Sequence, residues 1–356
     1  MANRDIIVIG TSAGGIEALL QLVRGLPSGF PVSLFVVCHL SAGIRSVLPE
    51  ILSRSGPLLA THPADGDHFS PGHIYIAPPD HHLMLGPDAR IRLTRGAREN
   101  NHRPAVDPLF RSAARYYGPR VIGIVLTGAL YDGAAGLMAV RAGGGLAVVQ
   151  DPGDAFVAAM PQNAAQIAGA DHVVRLADLA PLLLELVQLP GSPERSAKSM
   201  DPIERLPEIV DLDMSRQTRN DRRGEVSIFT CPECGGSLWQ VNDSSLVRFR
   251  CHVGHAYDGE VLLCEQTEAL EAALWTAVRT FKEKWVLASQ MAHNELAAGN
   301  ADAAARFEEQ AGQAAQFGGL IQQMLLMDSR RYNKVRLLAP ERIPCLTAVM
   351  EARGPQ

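Results

Sequence analysis

Ile6-Ile7-Val8-Ile9-Gly10-Thr11-Ser12-Ala13-Gly14-Gly15 joins a wholly apolar run to a turn poor in side chains, and Ile16, Leu19, Leu20 and Val23 follow at helical spacing. An apolar run without polar alternation has no wet face, so it fits a strand in a parallel sheet covered on both sides. Leu34 to Cys38, Ile74 to Ala77, Val121 to Leu126 and Leu146 to Gln150 have the same character. Helices are expected over Gly14 to Leu26, Pro161 to Gly169 and Leu179 to Leu189. Residues 1–190 should therefore form an α/β domain, a doubly wound and mostly parallel sheet with helices on both faces.

At 356 residues the chain has material for further modules. Apolar residues make up 47 %, charged residues 20 %, and the net charge is −5, with no basic surplus to grip nucleic acid. The first residues lack the apolar stretch and cleavage site of a signal peptide, and no later run approaches the roughly 20 apolar residues that cross a bilayer. A cytoplasmic protein without membrane insertion is expected. Six cysteines in a reducing compartment read as thiols or metal ligands, not disulfides, and Cys38, Cys264 and Cys345 as small buried apolar residues.

From 191 to 225 the chain turns to Ser, Pro, Asp and Arg, a composition suited to a linker, with a short helix expected near Pro202 to Val210. Residues 226–260 carry Cys231-Pro232-Glu233-Cys234 and Cys251-His252-Val253-Gly254-His255. Two close pairs separated by a β-rich stretch suit a tetrahedral, structural zinc in a ribbon-like module, with Cys231, Cys234, Cys251 and His255 as ligands. His255 is preferred to His252 because its spacing lets it turn back onto the same metal. Residues 261–330 carry Leu262, Leu263, Leu270, Leu274, Val278 and Phe281 at helical period, and Gly299-Asn300 should turn the chain into a second helix over Ala301 to Met327. The apolar stripe is read mainly as the core of that hairpin, with a partner-binding face as the alternative. Residues 331–356 read as a loosely held tail.

Three residues stand at the carboxyl ends of predicted strands. Ser12 sits on the turn after the first strand, at a helix N-terminus whose free N–H groups suit a developing negative charge. That turn fits neither the dinucleotide fingerprint nor the P-loop. His39 directly follows the second strand, and Asp132 lies in a glycine-bearing loop after Leu126. Each has a plainer reading: a tight turn, a local hydrogen bond, a helix cap. Together they offer a nucleophile, a base and an orienting acid at the edge where such sheets bind ligands.

The stretches GTSAGG (10–15), HRPAVDPLFRSAA (102–114), LTGALYDGAAGL (126–137) and QDPGDAFVAAMPQNA (150–164) resemble the catalytic domain of the bacterial chemotaxis protein-glutamate methylesterase family (CheB), over about residues 4 to 188. The resemblance implies Ser12 as nucleophile, His39 as base, Asp132 as its partner, and no cofactor for catalysis. Amides of Ala13, Gly14 and Ala129 would hold the oxyanion, and Arg103 and Arg111 either line the cleft or support the surface and a helix. It implies a methylated chemoreceptor or similar signalling protein as substrate, with glutamine deamidation by the same acyl-enzyme route. Two departures stand out. The family usually has Met-Gly where this chain has Ala129-Leu130, and it usually carries a receiver domain ahead of the catalytic strand, so control is left to a separate regulatory protein. The competing reading is an idle scaffold that binds a partner through the zinc module and hairpin.

Overall fold

Alternate residues of the same strands enter two different cores. In the computed structural model, which describes residues 3–39, 46–190, 225–243 and 246–338, β1 (Ile6–Thr11) sends Ile7 and Ile9 to one side of the sheet and Ile6 and Val8 to the other. β2 (Ser33–Cys38) divides likewise, Leu34 and Val36 against Phe35 and Val37. The first face is covered by α1 (Gly15–Arg24), α2 (Leu48–Ser55) and α6 (Leu176–Leu186), the second by α3 (Val106–Tyr117), α4 (Ala134–Ala142) and α5 (Ala159–Ala164). With both faces dry, uniformly apolar strands follow of necessity.

β3 (Leu59–Thr61), β4 (His73–Ile76), β7 (Val121–Val125), β8 (Leu146–Gln150) and β9 (His172–Val174) complete a seven-stranded parallel sheet in the order β3-β4-β2-β1-β7-β8-β9. The chain builds outward from β1 through β2, then returns to β1's other side with β7. That reversal between β1 and β7 opens the crevice in which doubly wound sheets bind ligands. The expected strands are all present. β3, β9, α2, α3 and the hairpin of β5 (His82–Leu85) and β6 (Ile91–Thr94) are additions that the apolar pattern did not disclose.

β10 (Glu225–Thr230), β11 (Ser237–Asp243), β12 (Leu246–Cys251) and β13 (Ala256–Asp258) form a separate antiparallel sheet around Leu238, Phe249, Tyr257 and Val261. This Cys- and His-bearing module belongs to the same compact unit as the α/β domain, which runs through Leu262. The segment expected as linker, its short helix near Pro202 to Val210 included, lies outside the described residues except at Glu225, which opens β10.

A second unit begins at Leu263. It contains most of α7 (Gly259–Ala297), and α8 (Ala301–Leu338), joined through Gly299 in the left-handed conformation (φ 81°). The second helix passes Met327 into the stretch expected as tail. Its seam differs in part from the expected stripe: Val278 is buried as expected, but it is joined by Ala288, Ala292, Ala304, Ala311 and Ala314, while Leu263 and Leu270 of that stripe are exposed, as are Trp275 and Trp285. Small residues let two helix backbones approach closely; Phe281 meets Phe317 across the pair with ring centroids 6.0 Å apart. No helix among the described residues is long and apolar enough to cross a membrane. Cys38 is buried as expected, but Cys264 is disulfide-bonded, and Cys345 lies outside the described residues.

The crossing of α3 and α4 requires a glycine. A Cβ on Gly136 would stand 2.6 Å from Phe110 Cβ and 3.0 Å from Asp107 Oδ1. Gly136→Ala is expected to destabilise the domain by about 1–3 kcal/mol as the two helices are pushed apart, read as a lower urea midpoint at unchanged m-value.

Candidate active site and metal-ligand cluster

The parallel register pairs Thr11 with Cys38, so Ser12 and His39 leave adjacent strands side by side. His39 Nε2 meets Asp132 Oδ2 at 2.8 Å, and both side chains are buried (6 % and 1 % exposed). A carboxylate only accepts, so Nε2 carries the proton and the lone pair is on Nδ1. Nδ1 is buried and has no hydrogen-bond partner among the described residues. His39 and Asp132 are thus joined, and Ser12 is placed beside them without a hydrogen bond to the imidazole. Such bonds commonly tighten only when substrate is present.

Asp132 was weighed in the sequence as a cap for the helix after it. It caps a helix, but the other one: the N–H groups of Val106 and Asp107 in the first turn of α3 donate to its Oδ2 and Oδ1 at 2.7 and 3.3 Å. Asp107 in return accepts from Gly133 N–H and Gly136 N–H at the start of α4, at 3.1 and 2.6 Å. Each helix N-terminus is therefore capped by an acid from the neighbouring segment, and its partial positive charge faces that acid. Asn100 Nδ2 donates to both, 3.2 Å to Asp132 Oδ1 and 3.4 Å to Asp107 Oδ2. Burial works to raise the Asp132 pKa, yet the hydrogen bond and charge of His39 and the Val106 N–H hold it well below the usual carboxylate range. Asp107 goes the other way, raised to about 6 by burial and by the charge of Asp132 beside it.

Thr127 ties the loops together. Its carbonyl accepts from Ser12 N–H (3.0 Å) and Thr11 Oγ1 (2.9 Å), and its hydroxyl donates to Ala13 O (2.9 Å) while accepting from Val157 N–H (2.8 Å). Gln150 Oε1 accepts from Thr127 N–H at 2.9 Å. Gly128 follows, and a Cβ there would stand 2.9 Å from Ser12 Cβ and 2.5 Å from Met160 Sδ, so glycine lets the Asp132 loop come up against Ser12. Gly14 caps α1 in the left-handed conformation (φ 74°) beneath Phe156, which is 81 % exposed. His102 stacks on His39 with ring centroids 3.6 Å apart, and burial, then the charge of His39, bring its pKa down to about 3, so it faces His39 as a neutral ring.

Arg103 donates to Asp80 Oδ1 (2.6 and 2.9 Å) and Gly96 O (2.7 Å). Of the two readings of Arg111, the structure has it in a buried ion pair with Glu99 at 2.6 Å. Glu99 also faces Arg250 of the Cys/His module at 3.5 Å. Burial alone would raise the Glu99 pKa, but Arg111 and Arg250 bring it down to about 2.

Cys231, Cys234, Cys251 and His255 offer ligand atoms within 4.8 Å of one another. Cys234 Sγ and Cys251 Sγ are 3.7 Å apart, and His255 Nδ1 is 3.6 Å from Cys231 Sγ and 3.4 Å from Cys251 Sγ. A tetrahedral zinc with bonds of about 2.3 Å to sulfur and 2.0–2.1 Å to nitrogen has edges of roughly 3.8 and 3.5–3.6 Å, so the donor set fits that ion. His255 Nε2 meets Glu233 Oε2 at 3.1 Å, which orients Nδ1 toward the cluster.

A serine, an imidazole and a helix-capped carboxylate at the switch point of a doubly wound sheet define a hydrolase-type site. Residues 7–183 match the family model described as CheB methylesterase. The chain is 37 % identical over 186 residues to a putative protein-glutamate methylesterase/protein-glutamine glutaminase of Leptospira interrogans, covering 52 % of this chain and 96 % of that one. It is 37 % identical over 198 residues to protein-glutamate methylesterase/protein-glutamine glutaminase 2 of Pseudomonas aeruginosa, of which it spans 56 %. The crystal structure of the Thermotoga maritima CheB methylesterase catalytic domain superposes with a TM-score of 0.50 at 33 % identity, covering 52 % of this chain and all of that one. The chain belongs to the CheB methylesterase family. The family match ends before the Cys/His module begins.

Glu99 makes the buried charge cluster sensitive to acid. Its pKa is depressed on folding, so its stabilising contribution is complete above the ordinary value of 4.5 and lost as pH falls toward 2. Glu99→Gln, which removes the nearer counter-charge of Arg111 and leaves it only Asp107 at 3.8 Å, is expected to destabilise the protein by about 3–5 kcal/mol at pH 7. Urea unfolding from pH 7 to pH 2 should show that gap closing below pH 4.5.

Proposed function

We propose that the protein hydrolyses glutamate methyl esters on a chemoreceptor-like signalling protein, with Ser12 as nucleophile, His39 as base and Asp132 as its orienting acid. The observation that carries this is the His39–Asp132 hydrogen bond at 2.8 Å beside Ser12, within a family named for that activity. His39 Nδ1 takes the Ser12 proton as Oγ attacks the ester carbonyl, and Asp132, fixed at the N-terminus of α3, stabilises the imidazolium formed. Ser12 N–H is held by Thr127 O, which leaves the amides of Ala13, Gly14 and Ala129 as the oxyanion donors of this proposal. The tetrahedral intermediate collapses with loss of methanol, the proton returning from Nδ1 to the leaving oxygen. Water activated by the same nitrogen then cleaves the acyl-enzyme to the free glutamate carboxylate and regenerates Ser12.

Glutamine deamidation would follow the same route with ammonia leaving, as the names of the relatives from Leptospira interrogans and Pseudomonas aeruginosa indicate for those proteins. Phe156, exposed above Gly14, offers apolar contact to a protein substrate. The cytoplasmic location expected from the sequence goes with that substrate class. The idle-scaffold reading has no observation in its favour, since His39 and Asp132 are joined and the relatives are named as enzymes. In the Cys/His module, we assign zinc to Cys231, Cys234, Cys251 and His255. Four ligands close the coordination shell, so the ion would hold the module's fold and take no direct part in the bond-breaking chemistry.

Methanol release from a methylated receptor should fall by roughly 10⁴-fold or more in Ser12→Ala and by about 10⁴-fold in Asp132→Asn, which removes the group that fixes the His39 tautomer. A wild-type rate no greater than that of Ser12→Ala would refute the assignment. Elemental analysis should find one zinc per chain in the wild type and much less in Cys251→Ser; a metal-free, fully folded wild type would refute the zinc site.

A further inference from the structure

The Cys/His module reaches the carboxylate of the proposed triad through a single side chain. Asn100 is 4 % exposed and holds a left-handed backbone (φ 49°). Its N–H donates to Ala256 O at 2.8 Å and its Oδ1 accepts from Asp258 N–H at 3.2 Å, both in β13. Its Nδ2 donates to Asp132 Oδ1 at 3.2 Å. β13 begins at the residue after His255, and β12, its partner in the sheet, ends on Cys251. A ligand cluster, a strand, an amide and the orienting acid thus form one continuous chain of contacts.

Independent contacts fasten the same two parts. Leu130, in the Asp132 loop, packs against the module's core of Leu238, Phe249 and Tyr257. It does so at φ 65°, a conformation that L residues rarely hold and that the glycine usual in the family at this position would take without strain. The branched side chain is half-buried there, against the module. Glu99, next to Asn100, pairs with Arg250 of β12, and Tyr131 Oη donates to Glu260 Oε1 at 2.7 Å just past β13.

We infer that the Cys/His module is a working part of the catalytic centre, with Asn100 as a positioning residue that fixes Asp132, so that zinc binding to the module sets the rate of ester hydrolysis. The inference rests on the proposed triad and zinc site. Loss of the metal loosens the ends of β12 and β13, Asn100 loses its two anchors, and the Asp132–His39 pair samples more orientations. Turnover then falls while groups that contact only the substrate keep their places.

The test uses the full chain, zinc-loaded and chelator-stripped, as wild type, Asn100→Ala and Leu130→Gly, with a glutamate methyl ester peptide as substrate and the low-field proton signal of the His39–Asp132 hydrogen bond as a second readout. Asn100→Ala should lower kcat roughly 10- to 100-fold, keep KM within about twofold, and broaden the proton signal. Zinc removal from the wild type should do the same, and in Asn100→Ala it should add little, because both act through one contact. Leu130→Gly, should Asn100→Ala not fold, is expected to make turnover more sensitive to chelator. An unchanged kcat and proton signal on zinc removal would overturn the inference, as would losses that multiply in full. If the wild type shows no Ser12-dependent turnover, the triad assignment has failed; the proton signal still reports whether the module governs the His39–Asp132 pair.

Discussion

Two helix N-termini meet under the catalytic loop, and each is capped by an acid from the other's segment. Asp132, just ahead of α4, binds the first-turn amides of α3, and Asp107, in the first turn of α3, binds those of α4. An uncapped helix end would leave amide donors buried without acceptors, at about 1–3 kcal/mol for each such group. The exchange removes that penalty at both ends and fixes where the orienting acid stands. It also adds the Val106 N–H at the positive end of a helix to the hydrogen bond and charge of His39, which together keep the carboxylate charged where burial alone would protonate it.

The same arrangement assigns different roles to two neighbouring acids. Asp132 has the imidazole in hydrogen-bond contact as well as the amides and stays ionised, while Asp107 has the guanidiniums of Arg111 and Arg248 only at 3.8 and 3.9 Å, where they do not outweigh burial and the charge of Asp132, and its pKa rises to about 6. Side by side, they cannot be equally easy to charge. Asn100 donates to both with one amino group, which eases the crowding of negative charge without adding a formal charge of its own. A lysine there would neutralise Asp132 and weaken its hold on the imidazolium of the proposed mechanism.

Much of this was legible in the sequence, because the features that specify a doubly wound sheet are local. The apolar runs at Ile6 and Val121, the side-chain-poor turn at Gly10 to Gly15, and the glycine loop before Asp132 each announce a strand end with something exposed beyond it. Ser12, His39 and Asp132 could be proposed from those signals, as could the cysteine pairs. Asn100, Glu99, His102 and Thr127 could not, since their parts depend on contacts with segments far along the chain. α3 was hidden by Pro104 and Pro108, which resemble loop residues although a proline in the first helical turn removes no needed hydrogen bond. In the hairpin, the helical period of the large residues does not disclose the alanines buried along the seam, since alanine carries little hydrophobic signal of its own.

Leu130 shows how a departure from a family pattern is explained by structure rather than by the local sequence. Read alone, a leucine in place of glycine at a tight loop suggests a weakened site. The backbone does hold the left-handed conformation that glycine favours, a strain of order 1–3 kcal/mol. Yet the side chain lies against the module's core, and burying a leucine contributes about 1.5–3 kcal/mol when complete. Leu130 is half-buried, so the module's cover offsets part of that strain. The loop beside Ser12 and the module beyond Glu225 are thus in direct contact, and the side chain at position 130 finds its packing partner in the module.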